Sequence, residues 1–472
     1  MKTGDNKLRN CFHSPIDIAI IKAKELSYNL PEGERVFVRK AQYQFGWDFA
    51  PRLLGCGIWK PVFIKAWNDI DVKYTEINQK TLNQLYAQLS LDILLDSDSN
   101  CNISIEIIDS KSNEILLLKN QVISIGESII NSEFAINNPV YWWTYDLGEP
   151  YLYNLEIVIK KNQKVIFSEN KKIGLRTIEL VEEKDSIGES FYFKLNDKPL
   201  YIKGSNYVPQ DMFPSRVTDN QYRKLLGKAK WSNINMLRVW GGGIYEKDVF
   251  YDLCDSLGLL VWQDFMFACA MYPGDDFFLT NLENEVTEQV KRLKGHPSIA
   301  LWCGNNEIEE GWNNWGWQKQ YDYSYSDSIK IWQDYEKLFH SLIPEILKKE
   351  DTNSPYWPSS PKFGWGREES LKYGDIHYWG VWWGMEPFEK YKEKVGRFNS
   401  EYGFQSLPTI GTIEQVMPKD KLHLKSDEIE CHQKHPKGFE TIDEYMKRDW
   451  PVPENFEDYI YVSQLVQAKR KE

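Results

Sequence analysis

Two glutamates end apolar segments of the kind that form buried strands. Glu307 closes the run IALWCGNNE, and Glu401 closes the run RFNSE. If both runs are strands of one parallel barrel, both carboxylates face its open end, where one can protonate a leaving oxygen while the other stays ionised. Such a pair is the minimum requirement for hydrolysis of a glycosidic bond. Glutamates at a barrel rim also form structural salt bridges, so their spacing alone leaves both interpretations open.

Aromatic residues are frequent, with 19 Trp, 27 Tyr and 22 Phe among 472 residues. Their flat apolar faces can stack on other apolar planes, sugar rings among them. The formal net charge of −12 excludes a basic surface for nucleic acid or anionic membrane. The longest apolar stretch, which begins at Leu257, is broken by Gln263 and Asp264, so we expect no transmembrane helix. The first fifteen residues lack the apolar core of a signal peptide.

The seven cysteines are scattered and form no Cys-x-x-Cys pair, which indicates neither a disulfide framework nor a zinc site. Cys431, His432 and His435 lie in a polar, lysine-rich stretch that we interpret as a solvated loop rather than a metal site.

Three regions differ in their patterns. Residues 1–67 contain strand-like runs at 34–49 and 58–67 but are too short for a stable sheet domain, so we expect the end of a larger β domain. Residues 68–178 alternate apolar and polar side chains with period two, as in a small β-sandwich. Residues 179–472 alternate short apolar strands with amphipathic helices, which predicts a (β/α)8 barrel.

Seven barrel strands can be counted, and a last predicted helix from about Phe456 to Ala468 runs into the chain end. We therefore expect a barrel that lacks its eighth strand. The helices have clear signals: Thr218 is a predicted N-cap, and apolar residues recur at helical spacing between Phe277 and Leu293.

A longer set of motifs resembles the β-mannosidases of glycoside hydrolase family two. These motifs are VRKAQYQFGWDFAPRLLGCGIWKPV, EPYLYNL, KIGLRTIEL, GSNYVPQDMFPSRVTDNQY, NMLRVWGGGIYE, HPSIALWCGNNEIEEGW and GRFNSEYGFQSLP, in that order. The resemblance implies a jelly roll, an immunoglobulin-like sandwich and a catalytic barrel. It also implies retaining exo-hydrolysis of β-mannosides or mannose-terminated oligosaccharides, with no metal and no organic cofactor.

The resemblance gives roles to individual residues. It implies that Glu307 is the general acid/base and Glu401 the nucleophile, an assignment with which the chemistry of retaining hydrolysis agrees. Asn306 would bind the sugar 2-hydroxyl, and Trp240 would contact the sugar. The alternatives are a strand-end amide that bonds backbone and an aromatic residue that packs at the barrel mouth.

Further candidates carry their own alternatives. Trp47 and Asp48 would reach into the site and enforce exo-action, although Phe49 and Ala50 replace the Trp-Gly common in the family. Arg238 would orient the nucleophile or form a structural salt bridge. Trp315 is a candidate sugar platform. His377, Tyr378 and Trp379 could line the pocket, with a tyrosine hydroxyl supporting the nucleophile. Asp264 is a weaker pocket candidate, for which a structural role is favoured.

The chain departs from the family at both ends, which predicts a truncated and poorly folded fragment. Two alternatives stay open for its function. One is another family-two specificity, namely galactosidase or glucuronidase. The other is a catalytically impaired carbohydrate-binding protein on a glycosidase scaffold. The compartment, the natural glycan and the oligomeric state are left undecided.

Overall fold

The computed structural model describes residues 7–424 and 426–469. Along the chain these residues form an N-terminal segment of irregular backbone, a β-sandwich, and a barrel of parallel strands with helices outside it. No helix within the described ranges is long and apolar enough to cross a membrane.

The N-terminal segment, residues 7–67, has one helix, α1 (Pro15–Ala23), and two single turns of 3-10 helix. The predicted strands at 34–49 and 58–67 are wrong, since only an isolated bridge between Trp47 and Ala50 occurs there. A strand needs a neighbouring backbone to pair with. Here barrel loops take that place: the Tyr43 amide donates to the Gly242 carbonyl at 2.8 Å. The segment therefore lies across the open end of the barrel.

The sandwich contains seven antiparallel strands in two sheets, which confirms the predicted immunoglobulin-like architecture. The sheets have the orders β1-β2-β5 and β4-β3-β6-β7. Ile103, Ile105 and Ile107 point into the core between the sheets, as the period-two pattern predicts. The strands are β1 (Ile70–Leu82), β2 (Tyr86–Ser97), β3 (Cys101–Asp109), β4 (Glu114–Ile123), β5 (Gly126–Asn137), β6 (Tyr153–Lys161) and β7 (Lys164–Ile173).

A small antiparallel sheet joins the sandwich to the barrel. Its strands are β8 (Ile178–Val181), β9 (Tyr192–Leu195) and β10 (Lys198–Leu200). Phe191 and Phe193 from this sheet pack against Trp262 and Phe398 of the barrel strands. This aromatic contact covers the end of the barrel opposite to the glutamates.

The barrel strands are parallel, and seven of them correspond to the seven strands counted in the sequence. They are β11 (Gly204–Tyr207), β12 (Met236–Val239), β13 (Leu260–Asp264), β14 (Ile299–Cys303), β15 (Tyr356–Trp357), β17 (Asp375–His377) and β18 (Phe398–Glu401), with a short added strand β16 (Phe363–Gly364) between the fifth and sixth. The described residues place no strand between β18 and β11. There the Asn206 amide donates to the Ser400 carbonyl at 3.1 Å and links the two edges.

Helices surround the strands. They are α2 (Asp219–Trp231), α3 (Asp248–Leu257), α4 (Asp276–Leu293), α5 (Ile308–Asn314), α6 (Trp317–Gln320), α7 (Tyr325–Glu336), α8 (Ile343–Glu350), α9 (Lys390–Glu393), α10 (Ile410–Ile413), α11 (Asp427–His432), α12 (Gly438–Met446) and α13 (Phe456–Lys469). Thr218 caps α2 in a reciprocal capping box with Gln221, which confirms the predicted start. Leu282, Val286 and Val290 of α4 are buried, as their spacing predicts.

Candidate active site

A cavity of about 820 Å³ opens at the carboxyl end of the barrel strands. The N-terminal segment, the strand ends and the loops after β14 and β17 all contribute to its wall. The lining residues predicted from the sequence are Trp47, Asp48, Trp240, Asn306, Glu307, Trp315, His377, Trp379 and Glu401. Sequentially distant elements therefore meet at one site, as the barrel topology requires.

Glu307 and Glu401 face each other across the cavity. An oxygen of each carboxylate and a ring nitrogen of His377 all lie within 4.8 Å of one another. Glu307 follows β14 with a left-handed backbone at φ +62°, and its amide donates to the Ser360 carbonyl at 2.7 Å. A positive φ in a residue other than glycine is strained and common at functional sites. The geometry supports two carboxyl groups that act on one bond.

Arg238 holds the Glu401 side of the site. Its Nη1 donates to Glu401 Oε2 at 2.6 Å, and its Nη2 donates to Asp264 Oδ2 at 2.9 Å and to Asn306 Oδ1 at 2.8 Å. Burial alone would lower the pKa of Arg238, but the charges of Asp264 and Glu401 raise it above its ordinary value. Both interpretations of Arg238 therefore apply: it orients the nucleophile candidate and forms a buried salt bridge.

Asp264 has the structural role that the sequence favours. It is fully buried, and it accepts hydrogen bonds from the Gly241 amide at 3.0 Å and from Trp262 Nε1 at 2.9 Å. These bonds, together with that from Arg238, fix the end of β13 beneath the cavity. Asp264 is absent from the cavity wall among the lining residues that the structure describes.

Glu307 has different neighbours. His377 Nδ1 lies 2.8 Å from Glu307 Oε1, and the Cys269 thiol donates to Oε2 at 3.4 Å. Burial raises the pKa of Glu307, with Arg238 opposing the shift. Burial also raises the pKa of Glu401, although the direct contact with Arg238 opposes the shift. Of the two glutamates, only Glu401 is in direct contact with Arg238, which favours Glu401 as the carboxylate and Glu307 as the group that holds a proton.

Aromatic rings from two regions form the wall next to this pair. Trp47 and Trp240 pack edge to face with their ring centroids 4.8 Å apart, and Phe49 packs on Trp240 at 5.8 Å. A β-carbon at Gly242 would lie 1.8 Å from the Trp240 ring, so the glycine lets that ring fold over the turn. Burial, with a smaller effect from Glu307, raises the pKa of the adjacent Asp48.

Tyr378 is the one predicted site residue that the structure turns away from the cavity. Its side chain is 3% exposed, and its hydroxyl donates to Glu386. Only its backbone reaches the nucleophile candidate, where its amide donates to the Glu401 carbonyl at 2.8 Å. Since His377 and Tyr378 are consecutive in an extended backbone, their side chains point to opposite sides, and the expected tyrosine support of Glu401 is wrong.

Several wall residues were not predicted. They include Asn206, Cys269, Glu310, Trp365, Trp382, Trp383, Tyr402 and His435. His435 is buried, and its ring centroid lies 4.4 Å from that of Trp383, so the expected solvated loop is wrong at this position. Cys269 follows the end of β13 in the run DFMFACA, and its place near a strand end was the available signal.

The positive charge at the carboxylate pair comes from the Arg238 guanidinium, which forms an ion pair with Glu401. A metal ion there would meet this positive charge. A second group, Asp252, Asp255 and His296, has side-chain ligand atoms within 4.8 Å of one another outside the cavity wall. His296 Nδ1 lies 2.6 Å from Asp255 Oδ2, an ion pair that needs no metal. The absence of a metal or cofactor stays a prediction.

Comparison with known proteins identifies related sequences over most of the chain. Three family models match in order: "Glycosyl hydrolase 2 galactose-binding domain-like" at residues 1–60, "Glycosyl hydrolases family 2" at 63–176, and "Glycosyl hydrolases family 2, TIM barrel domain" at 188–326. The first match covers the N-terminal segment, so that segment is related to the galactose-binding-like domain although residues 7–67 form no sheet.

Two curated relatives and one solved structure are similar over nearly the whole chain. The β-mannosidase of Bos taurus is 36% identical over 92% of this chain and 51% of its own length. The β-mannosidase B of Aspergillus oryzae is 32% identical over 99% of this chain and 56% of its own. The crystal structure of the β-D-mannosidase of Dictyoglomus thermophilum superposes with a TM-score of 0.87 at 37% identity, over 97% of this chain and 56% of that one.

The chain thus spans about half the length of the curated relatives it matches. The exo-chitosanase CsxA of Amycolatopsis orientalis, with a TM-score of 0.61 at 16% identity, shares the fold alone. Fold, order of domains and sequence similarity agree, and the chain belongs to family 2 of the glycosyl hydrolases, as a homologue of β-mannosidases.

Proposed function

We propose that this chain is a retaining exo-β-mannosidase, which releases terminal non-reducing β-D-mannose through a covalent glycosyl-enzyme. Glu401 attacks the anomeric carbon, and Glu307 protonates the departing aglycone oxygen. Glu307 then deprotonates a water molecule that displaces Glu401 and frees the sugar. Every proton in this cycle is carried by Glu307, water or the aglycone, so no metal or organic cofactor is required.

The observation that carries the proposal is the unequal environment of two close carboxyl groups. Glu401 is paired with Arg238 at 2.6 Å, which favours a carboxylate ready to attack. Glu307 lies between the Cys269 thiol and the ring of His377, where burial raises its pKa. Retaining enzymes hold their carboxyl groups about 5–5.5 Å apart and inverting enzymes about 6.5–9.5 Å apart. Oxygens within 4.8 Å of each other support retention.

The shape of the cavity supports exo-action. Trp47 and Asp48 come from the N-terminal segment and stand over the barrel mouth beside Trp240. A sugar unit in front of the carboxylates would contact this wall, so an oligosaccharide could not extend beyond its terminal unit on that side. Asn306 lies beside the acid/base candidate with its oxygen bound by Arg238, which fixes the amide for contact with the sugar 2-hydroxyl.

Mannose is the proposed sugar because the curated relatives with the whole-chain matches are β-mannosidases. A glucuronide carries a carboxylate that needs a cationic partner. The described part of the cavity wall contains no lysine or arginine, which disfavours that alternative. Trp315, half exposed at the cavity, offers a flat face for the sugar or the aglycone.

The test compares nitrophenyl β-mannoside, β-galactoside and β-glucuronide as substrates. We expect the highest kcat/KM on the mannoside. Glu401→Gln and Glu307→Gln should each reduce it by several orders of magnitude, on the order of 10³-fold or more. Glu283→Gln, an exposed carboxylate on α4, is the matched control and should leave kcat/KM unchanged. A faster galactoside reaction would overturn the substrate, and sugar binding without turnover would favour the binding-protein alternative.

A 2-fluoro-mannosyl fluoride tests the covalent step directly. The fluorine slows both steps, and the fluoride leaves readily, so the glycosyl-enzyme should accumulate and add one fluoromannosyl mass to the protein. Digestion should place that mass on the peptide with Glu401. A label on Glu307 would contradict the assignment of the two roles.

A further inference from the structure

Glu307 is held through both of its carboxyl oxygens. Oε1 contacts His377 Nδ1 at 2.8 Å, and Oε2 accepts from the Cys269 thiol at 3.4 Å. Burial raises the pKa of Cys269 well above its ordinary value, so the thiol keeps its proton and is a donor. The position of the proton between Glu307 Oε1 and His377 Nδ1 depends on the groups that contact the far side of the His377 ring.

Behind the ring stand Ser360 and Asp375, both buried. His377 Nε2 lies 2.9 Å from Ser360 Oγ, and this hydroxyl donates to Asp375 Oδ2 at 2.6 Å. Asp375 also accepts from Ser400 Oγ at 2.5 Å, and from Trp357 Nε1 and the Lys362 amide at 2.9 Å each. Four donors around one carboxyl group satisfy it as a carboxylate.

The hydrogen atoms can be assigned in order along this chain. Two lone pairs 2.6 Å apart repel, so the single proton of Ser360 must point to Asp375. Ser360 Oγ then accepts a proton from His377 Nε2. Burial lowers the pKa of His377 to about 4, so the ring is neutral and carries only that proton. Nδ1 is therefore an acceptor, and its 2.8 Å contact requires the proton of Glu307 Oε1.

We propose that Asp375, Ser360 and His377 form a positioning chain that keeps the catalytic proton on Glu307 by fixing His377 as the Nε2–H tautomer. The proposal rests on the proposed function for its catalytic meaning. A bare Nδ1 stabilises the carboxylic acid of Glu307 and repels its carboxylate. Glu307 thus stays protonated in the free enzyme at higher pH, and after protonating the aglycone it is a stronger base toward water in the second step.

Other groups face this pair and are part of its electrostatics. Those that act on Glu307 or His377, or lie beside them, are Asp48 of the N-terminal segment, Arg238 of β12, Asp264 of β13, Cys269 after β13, Glu310 of α5, Asp375 of β17 and Glu401 of β18. The hydrogen bond from the Cys269 thiol and, to a smaller extent, the charge of Arg238 favour the ionised form of Glu307 and so oppose the positioning chain. The tautomer of His377 can be changed without touching any of these charges, by removal of the Ser360 hydroxyl.

The first experiment measures kcat/KM against pH for Ser360→Ala, on an alkyl β-mannoside whose poor leaving group needs the acid. Without the hydroxyl, the ring can adopt the Nδ1–H tautomer and donate to the Glu307 carboxylate, which lowers the pKa of Glu307. The basic limb of the profile should move to lower pH by about one unit. Ser298→Ala, a buried serine whose hydroxyl has no partner in the described residues, is the control and should leave the limb in place.

A uniform loss of rate with an unmoved limb would show a merely structural role and overturn the proposal.

The second experiment needs no variant activity and no mannoside. Nitrogen-15 spectra of the histidine rings of the wild-type chain report which nitrogen of His377 carries the proton, with the signal assigned by its loss in His377→Gln. We expect the Nε2–H tautomer at neutral pH. An Nδ1–H or doubly protonated ring would refute the positioning chain, even if mannosidase activity is absent and the proposed function fails.

Discussion

Arg238 and Glu401 form a buried ion pair, with Nη1 2.6 Å from Oε2 and only 4% of the arginine exposed. The same guanidinium binds Asp264 at 2.9 Å. One buried cation therefore pairs with two carboxylates, of which Asp264 is fully buried and Glu401 faces the cavity. Catalytic orientation and stability of the barrel depend on the same side chain.

Replacement of this cation should destabilise the chain. In Arg238→Met, Asp264 and Glu401 lose their shared partner while buried, which should cost about 3–5 kcal/mol of the free energy of unfolding. Urea denaturation measures the loss. Arg216→Met removes an exposed arginine that pairs with Asp211 at 3.4 Å and should change stability by less than about 1 kcal/mol. Equal effects of the two substitutions would contradict the proposed dependence on burial.

The wall from the N-terminal segment should contribute to sugar binding. Trp47→Ala removes the ring that packs on Trp240, and we expect kcat/KM on a β-mannoside to fall by roughly 10–100-fold, mainly through a higher KM. Steady-state kinetics measure the change. Trp231→Ala removes an indole that is 85% exposed at the end of α2 and is the control. An unchanged KM in Trp47→Ala would show that this part of the N-terminal segment does not contribute to substrate binding.

The barrel, the sandwich and the strand-end positions of the two glutamates are predictable because their signals are local and repeated, whereas the roles of the glutamates rest on the family resemblance. Period-two alternation marks Ile103 to Ile107, and apolar runs that end in polar groups mark β14 and β18. The N-terminal segment was mispredicted for the same reason: its β-branched and aromatic residues fit a strand. Such a segment becomes a strand only if a neighbouring backbone is available, and here contacts with barrel loops prevail.

Within the site, the direction in which individual side chains point could not be predicted from the sequence. A one-residue difference in an extended strand reverses the face, which decides between His377 and Tyr378. Asp375 and His377 lie on one strand, β17, but Ser360, which links them, lies in the loop after β15, and no sequence spacing predicts that contact. Cys269 was visible near a strand end, but its contact with Glu307 depends on the left-handed backbone at both residues.

Tyr378 should therefore matter for stability and not for turnover. Tyr378→Phe removes a hydroxyl that donates to Glu386 outside the cavity, so we expect a loss of about 1 kcal/mol in the free energy of unfolding. The value of kcat/KM should stay within about twofold, since 1 kcal/mol of stability leaves the folded population intact. Parallel denaturation and kinetic measurements test both statements. A large loss of turnover with normal stability would return Tyr378 to the active site.

The buried carboxyl group of Glu246, which lies outside the cavity wall, should make the free energy of unfolding depend on pH. It is 2% exposed and accepts a hydrogen bond from the Tyr222 hydroxyl. Burial raises its pKa from 4.5 to about 7, although the bond from Tyr222 opposes the shift. The folded chain thus binds this proton more tightly than the unfolded chain. Its stabilising effect is complete below about pH 4.5 and is lost as pH rises toward 7.

Glu246→Gln keeps an oxygen for the Tyr222 hydroxyl and removes the titration. At pH 5 the variant and the wild type should be similarly stable in urea, because most Glu246 is protonated in the folded wild type. At pH 8 the variant should be more stable by up to about 3 kcal/mol, since the wild type must then bury a charge or release it at a cost. Glu283→Gln on the exposed face of α4 should show no such change with pH. If the stability difference between variant and wild type is equal at pH 5 and pH 8, Glu246 has the same pKa in the folded and the unfolded chain. That result would contradict the effect of burial on this carboxyl group.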